Sequence, residues 1–228
     1  ELLTFLLLAA MLNLLAKHFL NPRARLTRKT IFGILALQVL LVNSHSFFLL
    51  GWALTGCLLG GSALRWFAAV SQQDDTTEPK RRSIALGGLL GGQLAVSLIN
   101  PWTWRTLIMP FEMILYLRAN PLVSNAQPGD AVNPMSFIGE LYHPFTEGVF
   151  LESPATYALA AVLALAAAGM LVALFRGRLA LAASIALFAY ITLSMRRNIA
   201  IGGLMLLPLS AGALAQTREA LRRIKFAT

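Results

Sequence analysis

Residues 155–175 read ATYALAAVLALAAAGMLVALF, a run without a single charge, and Arg176 and Arg178 follow at once. The apolar side chains form one unbroken stretch rather than the i, i+3, i+4 stripe of a helix with one wet face. A bilayer core about 30 Å thick is crossed by about 20 residues at about 1.5 Å each. Helix is also the form in which such a stretch satisfies every backbone polar group internally. The stretch therefore reads as a membrane-spanning helix with a basic anchor at its end.

Working outward, similar runs occur at about 2–20, 31–42, 47–69, 83–99, 179–195 and 199–215, giving seven apolar segments in all. Of the 228 residues 57% are hydrophobic and 13% charged, and no stretch of any length has the composition of a soluble domain. The expectation is an all-α, polytopic integral membrane bundle, a single domain over 1–228, with about seven transmembrane segments and one long external loop at about 100–154. If every segment crosses, the clusters Arg23–Lys29, Lys80–Arg82, Arg176–Arg178 and Arg218–Lys225 fall on one side. Lys and Arg mark the cytoplasmic side of short loops, so that side and the C-terminus are predicted cytoplasmic. Arg105, Arg118, Arg196 and Arg197 fall on the other side and need an explanation.

The net charge of +9 would suggest nucleic acid in a soluble protein. Here the charges lie between apolar runs without aromatic interleaving, so no nucleic acid is expected. Cys57 stands alone and reads as a small core residue. Glu1 opens the chain without an initiator Met, basic n-region or cleavage site, so a longer native chain is expected.

Three regions break the pattern. Segment 31–42 spans only about 18 Å as a helix; either it is a half-helix, or it continues through Asn43, Ser44, His45 and Ser46. Residues 100–116 read as an interfacial helix, with Trp102, Trp104, Phe111 and Tyr116 as belt residues and Pro101 in its first turn. Residues 120–133, with Pro121, Pro128 and Gly129, read as a loop.

Arg196, Arg197 and Asn198 carry the strongest local signal, because they run against the charge bias. Two adjacent guanidiniums suit a phosphate or diphosphate; the alternative is a pair snorkelling to lipid headgroups. Glu140 and His143 lie in an aromatic-rich loop and suit an acceptor hydroxyl, a shared proton, a divalent cation or ordinary loop packing. No resident cofactor is predicted, and two ligands fall short of a zinc site. Asn43 with His45, and Asn100 with Arg105, are further polar groups at external segment ends. Convergence with Arg196 would outline one polar cavity. No P-loop, zincin motif or nucleophile elbow is present, and acidic residues within the segments are lacking, which weighs against an ion pump.

Leu37–Gly51, reading LQVLLVNSHSFFLLG, resembles the "LLQ..W.N.HGSF..G" segment of bacterial GT-C superfamily glycosyltransferases, relatives of the protein mannosyltransferases and of the aminoarabinose transferase. Asn100–Arg105 is similar to their "NP.G.R", Ile138–Leu141 to their "I.EW", and Arg196–Asn198 to their "RN" or "RH". Order and approximate spacing agree over about residues 30–210. Leu141 stands in place of Trp, Ser44 and Ser46 flank His45 where Gly would follow, and Thr103 with Trp104 replaces an aromatic and a Gly.

The resemblance implies sugar transfer from a polyprenyl-phosphate donor to a glycan, lipid or protein acceptor at the external membrane face. A carboxylate base would lie on a loop upstream of Glu1. Arg196, Arg197 and Asn198 would hold the donor phosphate. Glu140, His143, Asn43, His45, Asn100 and Arg105 would contact substrate. A lipid or polysaccharide flippase component and a non-catalytic membrane scaffold share this topology and stand as alternatives.

Overall fold

The computed structural model describes residues 2–21, 23–44, 46–120, 134–138, 141–145 and 154–225, the last ten by their backbone alone. Among them there is no strand. The helices are α1 (Leu2–Leu20), α2 (Arg28–Ser44), α3 (Leu49–Ser71), α4 (Thr77–Val96), α5 (Trp104–Ala119), α6 (Pro154–Phe175), α7 (Leu179–Ser194) and α8 (Ile199–Lys225). Short 3-10 turns at Ser46–Phe48 and Arg196–Asn198 lead into α3 and α8.

The core forms around α1, which packs on α2, α3, α7 and α8. Thr4, Leu7, Leu8, Met11, Leu12, Leu15, His18 and Phe19 are its buried residues, at the three-and-four spacing of one helical face. They meet Leu54 and Leu58 of α3, Leu181, Ile185 and Phe188 of α7, and Ile201, Met205 and Leu206 of α8 in one cluster. Helix α6 lies outermost, against α7 and α8, and buries Leu159, Ala166, Gly169 and Ala173. Gly169 permits the close crossing, because a Cβ there would stand 2.8 Å from Ser210 Cα. Its other sides are apolar and uncovered, Phe175 being 87% exposed, which is the surface that lipid covers and water does not.

Among the described residues four helices have the length and apolar character to cross a membrane: α1, α3, α6 and the Arg196–Ala215 stretch that opens α8. Helix α7, with 16 residues, is apolar but shorter. The seven apolar segments of the sequence all lie in helices, with shifted ends.

The differences have local causes. The 31–42 segment is not a half-helix: α2 begins at Arg28 because Thr27 Oγ1 accepts the Thr30 N–H at 3.1 Å, a side-chain N-cap, and it runs through Asn43 and Ser44. Its 17 residues reach about 25 Å. Helix α4 starts at Thr77, well before the apolar run, so its basic residues sit on the first turns. The interfacial helix begins at Trp104 rather than Asn100, and Pro101 lies in the preceding turn. Asn100 causes this shift: its Oδ1 accepts the Trp102 N–H at 2.8 Å and its Nδ2 reaches Thr103 O at 3.2 Å, closing a turn that competes with helix. Residues 121–133 lie outside the described residues.

The chain thus has two distinct ends. One gathers the basic turns between α1 and α2 and between α6 and α7, together with Lys80, Arg81 and Arg82 on the first turns of α4. The other, the loop end, carries α5, residues 134–138 and 141–145, and the Arg196–Asn198 turn.

Candidate functional site at the loop end

Helix α5 stands apart from the bundle, with Thr106 its one buried residue. Between it and the C-terminal end of α2 lies a groove of about 760 Å³. Val42, Asn43, Ser44 and Phe48 form one wall, and Trp102, Trp104, Arg105, Thr106, Ile108, Met109 and Glu112 the other. Arg105 and Glu112 are seven residues apart and so share a face of α5, two helical turns from each other. The groove is therefore mainly apolar and aromatic with one cation and one carboxylate, the make-up of a site for an amphiphile with a polar head.

A buried polar network supports this wall. Gln38 Nε2 donates to Phe48 O at 3.2 Å and to Ser97 Oγ at 3.1 Å, and Gln93 Nε2 donates to Gln38 Oε1 at 3.3 Å. Ser97 Oγ donates to Gln93 O at 2.7 Å and receives the Trp52 indole N–H at 3.3 Å. Gln38, Gln93 and Ser97 are completely buried. Hydrogen bonds strengthen in such a low-dielectric setting, so the network fixes α2, α3 and α4 relative to one another. It holds Phe48 in the groove wall, where the Phe48 ring meets Trp52 edge-on at 5.0 Å.

Two of the sequence-predicted residues, Asn43 and Arg105, line the groove. Asn43 Nδ2 donates to Val39 O at 2.8 Å and to Ile99 O at 2.7 Å, tying α2 to the end of α4. Arg105 is exposed, its guanidinium 5.9 Å from the Trp104 ring centroid. Asn100 supports the groove from behind: its Nδ2 also donates to Ser97 O at 2.6 Å, and its Oδ1 accepts the Thr106 hydroxyl at 2.6 Å. That side chain is consumed by the turn.

The turn carrying Arg196, Arg197 and Asn198 sits alongside. Arg197 is exposed and lies over Phe47, 5.8 Å from its centroid, next in sequence to the groove residue Phe48. Arg196 is half-buried, and its backbone N–H donates to Tyr142 O at 2.8 Å, bringing the 141–145 segment to this turn. Asn198 is buried, its Nδ2 donating to Ile191 O at 2.9 Å, so it fastens the turn to α7. His143 is exposed, with its Nδ1 accepting the Phe145 N–H at 3.1 Å. The structure thus brings Asn43, Asn100 and Arg105 together at the groove, and Arg196, Arg197, Asn198 and His143 together at its flank. Glu140 and His45 lie outside the described residues.

Sequence reasoning missed Glu112 and the Gln38–Gln93–Ser97 network. Glu112 was legible as the partner of Arg105 at helical spacing. The network was not, since its members come together only when α2 and α4 pack. Among the described residues no three His, Cys, Asp or Glu side chains are grouped to hold a metal ion. No family model, curated protein or solved structure matches this chain.

Proposed function

We propose that this chain is part of a GT-C-type glycosyltransferase that takes a sugar from a polyprenyl-phosphate donor at the loop end of the bundle. The observation that carries this reading is the groove between α2 and α5, about 760 Å³ and walled by Trp102, Trp104, Phe48 and Met109, with Arg105 in its lining. An isoprenoid chain matches the apolar wall, and a phosphate matches the guanidinium. Seven helices, α1 to α4 and α6 to α8, cross the membrane in this reading. Helix α5 lies at the external interface, and the Arg-rich end faces the cytoplasm of a bacterial inner membrane.

The donor phosphate rests between Arg105 and the Arg196–Arg197 turn. An acceptor hydroxyl loses its proton to a carboxylate on a loop upstream of Glu1, and its oxygen attacks the anomeric carbon. The bond from that carbon to the phosphate oxygen breaks, and the phosphate leaves with the electron pair. Arg105, Arg196 and Arg197 offset the charge that grows on that oxygen. His143, in the 141–145 segment next to Arg196, and Glu140 orient the sugar or acceptor; their chemistry also allows them to hold a divalent cation.

The test is turnover of a panel of polyprenyl-phosphate sugars by the full-length protein in detergent. Transfer or sugar release that falls at least a hundredfold in Arg105→Ala and in Arg196→Ala/Arg197→Ala supports the reading. Tight donor binding without turnover moves the assignment to a flippase, and no binding leaves a scaffold.

A further inference from the structure

The opposite, Arg-rich end contains a second polar site that the glycosyltransferase reading does not use. Arg65 of α3, Arg82 of α4 and Arg178 of the α6–α7 turn line a crevice together with His18 and Ser62. None of the residues lining that crevice carries a carboxylate. Three half-buried guanidiniums repel one another, and they are held by backbone carbonyls. Arg82 donates to His18 O at 2.8 Å and Asn21 O at 3.3 Å, Arg178 to Leu20 O, and Arg65 to Gly177 O at 3.2 Å. These carbonyls are mainly the free ones at the C-terminus of α1, where the helix dipole favours cations. Dipoles of this kind position the charges of Arg65 and Arg178 without neutralising them. Neither Arg65 nor Arg178 has a carboxylate partner among the described residues.

His18 supplies an independent observation. It is 2% exposed, and its Nδ1 makes its hydrogen bond with Ala24 O at 3.3 Å. A carbonyl only accepts, so Nδ1 carries the proton and Nε2 presents a lone pair. That Nε2 is buried and has no hydrogen-bond partner. Leaving it so is costly, and an O–H at this point would remove the cost.

The crevice is about 10 Å³, enough for one oxygen atom. Beside it, sharing Ser62, Arg65 and Arg82, lies an open bowl of about 860 Å³. Asp74, Asp75 and Glu78 stand in the bowl wall and limit the negative charge it accepts. A polyphosphate is disfavoured by these three carboxylates, whereas a single phosphate ester matches the site.

We infer that the Arg-rich end binds a phosphate ester bearing its own hydroxyl, the phosphate lying in the bowl against Arg65 and Arg82 and the hydroxyl entering the crevice to donate to His18 Nε2. A phosphoglycerol group has this chemistry, whether as the headgroup of an anionic phospholipid or as soluble glycerol phosphate.

The experiment is native mass spectrometry of the full protein in detergent, offered equal amounts of phosphatidylglycerol and phosphatidylcholine with matched acyl chains. Expected is about tenfold greater retention of phosphatidylglycerol, abolished in Arg65→Gln and in Arg82→Gln. The preference survives in Arg28→Gln/Lys29→Gln, which removes two exposed cations on the same face. Glycerol 3-phosphate at millimolar concentration separates the sources: displacement of the lipid assigns the site to the soluble ester, and retention assigns it to the headgroup. Arg82 also fastens His18 and Asn21, so if Arg82→Gln does not fold, Arg65→Gln decides. Equal retention of the two lipids overturns the inference, as does a preference that Arg65→Gln leaves intact or that the Arg28/Lys29 variant removes equally.

Discussion

The amide oxygen of Gln38 occupies the space in which a side chain at residue 51 would begin: a Cβ on Gly51 would collide with it, and with Met11 Sδ at 2.9 Å. Both residues fall in the Leu37–Gly51 segment. The contact gives a packing reason for a glycine thirteen residues after a glutamine. Gly51→Ala pushes Gln38 out of its bonds to Phe48 O and Ser97. Overpacking of this kind costs about 1–3 kcal/mol. A lower midpoint of thermal unfolding in detergent is expected, with donor binding weakened because Phe48 moves. An unchanged midpoint would show that the helices separate at no cost.

Gln93→Leu leaves Gln38 Oε1 without the donor it uses at 3.3 Å. An unsatisfied buried acceptor costs about 1–3 kcal/mol. Replacing Gln38 and Gln93 together by Leu removes both partners, and the double variant is expected to be less destabilised than the sum of the single changes. Strict additivity in that cycle would mean that the two amides do not interact.

Thr103 has φ +50°, a left-handed conformation costly for a β-branched residue. Thr103→Gly relieves strain of about 1–3 kcal/mol against a glycine entropy cost of about 0.5–1 kcal/mol. A net gain of about 1 kcal/mol in stability is expected. Loss of stability would place the strain elsewhere in the turn.

Arg105 and Arg197 are predicted to differ in kind from Asn100 and Asn198. The two arginines are exposed and their alanine variants keep the fold, so the expected loss is confined to donor binding and turnover. Asn100→Ala opens the turn before α5, and Asn198→Ala releases the turn from α7, so both lower the unfolding midpoint. A midpoint unmoved in the asparagine variants, with binding lost, would make them ligand contacts instead.

Asp75 Oδ1 accepts the Thr77 N–H at 2.9 Å, and hydrogen bonds from Thr77 hold its carboxyl below the usual value of 3.8. A depressed carboxyl stabilises the native state above its unfolded pKa, and that contribution is lost as pH falls through the lower folded value. The protection factor of the Thr77 amide, its exchange relative to the intrinsic rate at the same pH, is therefore expected to fall below about pH 4. Asp75→Asn retains an acceptor and removes the pH dependence; persistence of the dependence would exclude Asp75 as its source.

Much of the helical architecture was legible because lipid imposes a simple code. Runs such as 155–175 have no alternative to helix, and the basic turns mark one end. Helix ends were less legible, since they depend on individual side chains: Thr27 starts α2 before its apolar run, and Asn100 delays α5. Of the candidate site residues, Asn43 and Arg105 were recognisable as polar groups at segment ends. Their position across a groove from each other was not.

By itself the sequence determined an all-helical chain with several membrane-length apolar stretches, and gathered its cations into short turns, because burial in hydrocarbon acts residue by residue along each run. Only the tertiary structure decided that Gln38 meets Gln93 and Ser97, that Arg65, Arg82 and Arg178 surround His18, and that α5 leaves a groove against α2. Those pairings join residues tens to more than a hundred positions apart. They follow from which helix faces pack, and hydropathy carries no information about that because every face of an apolar run looks alike.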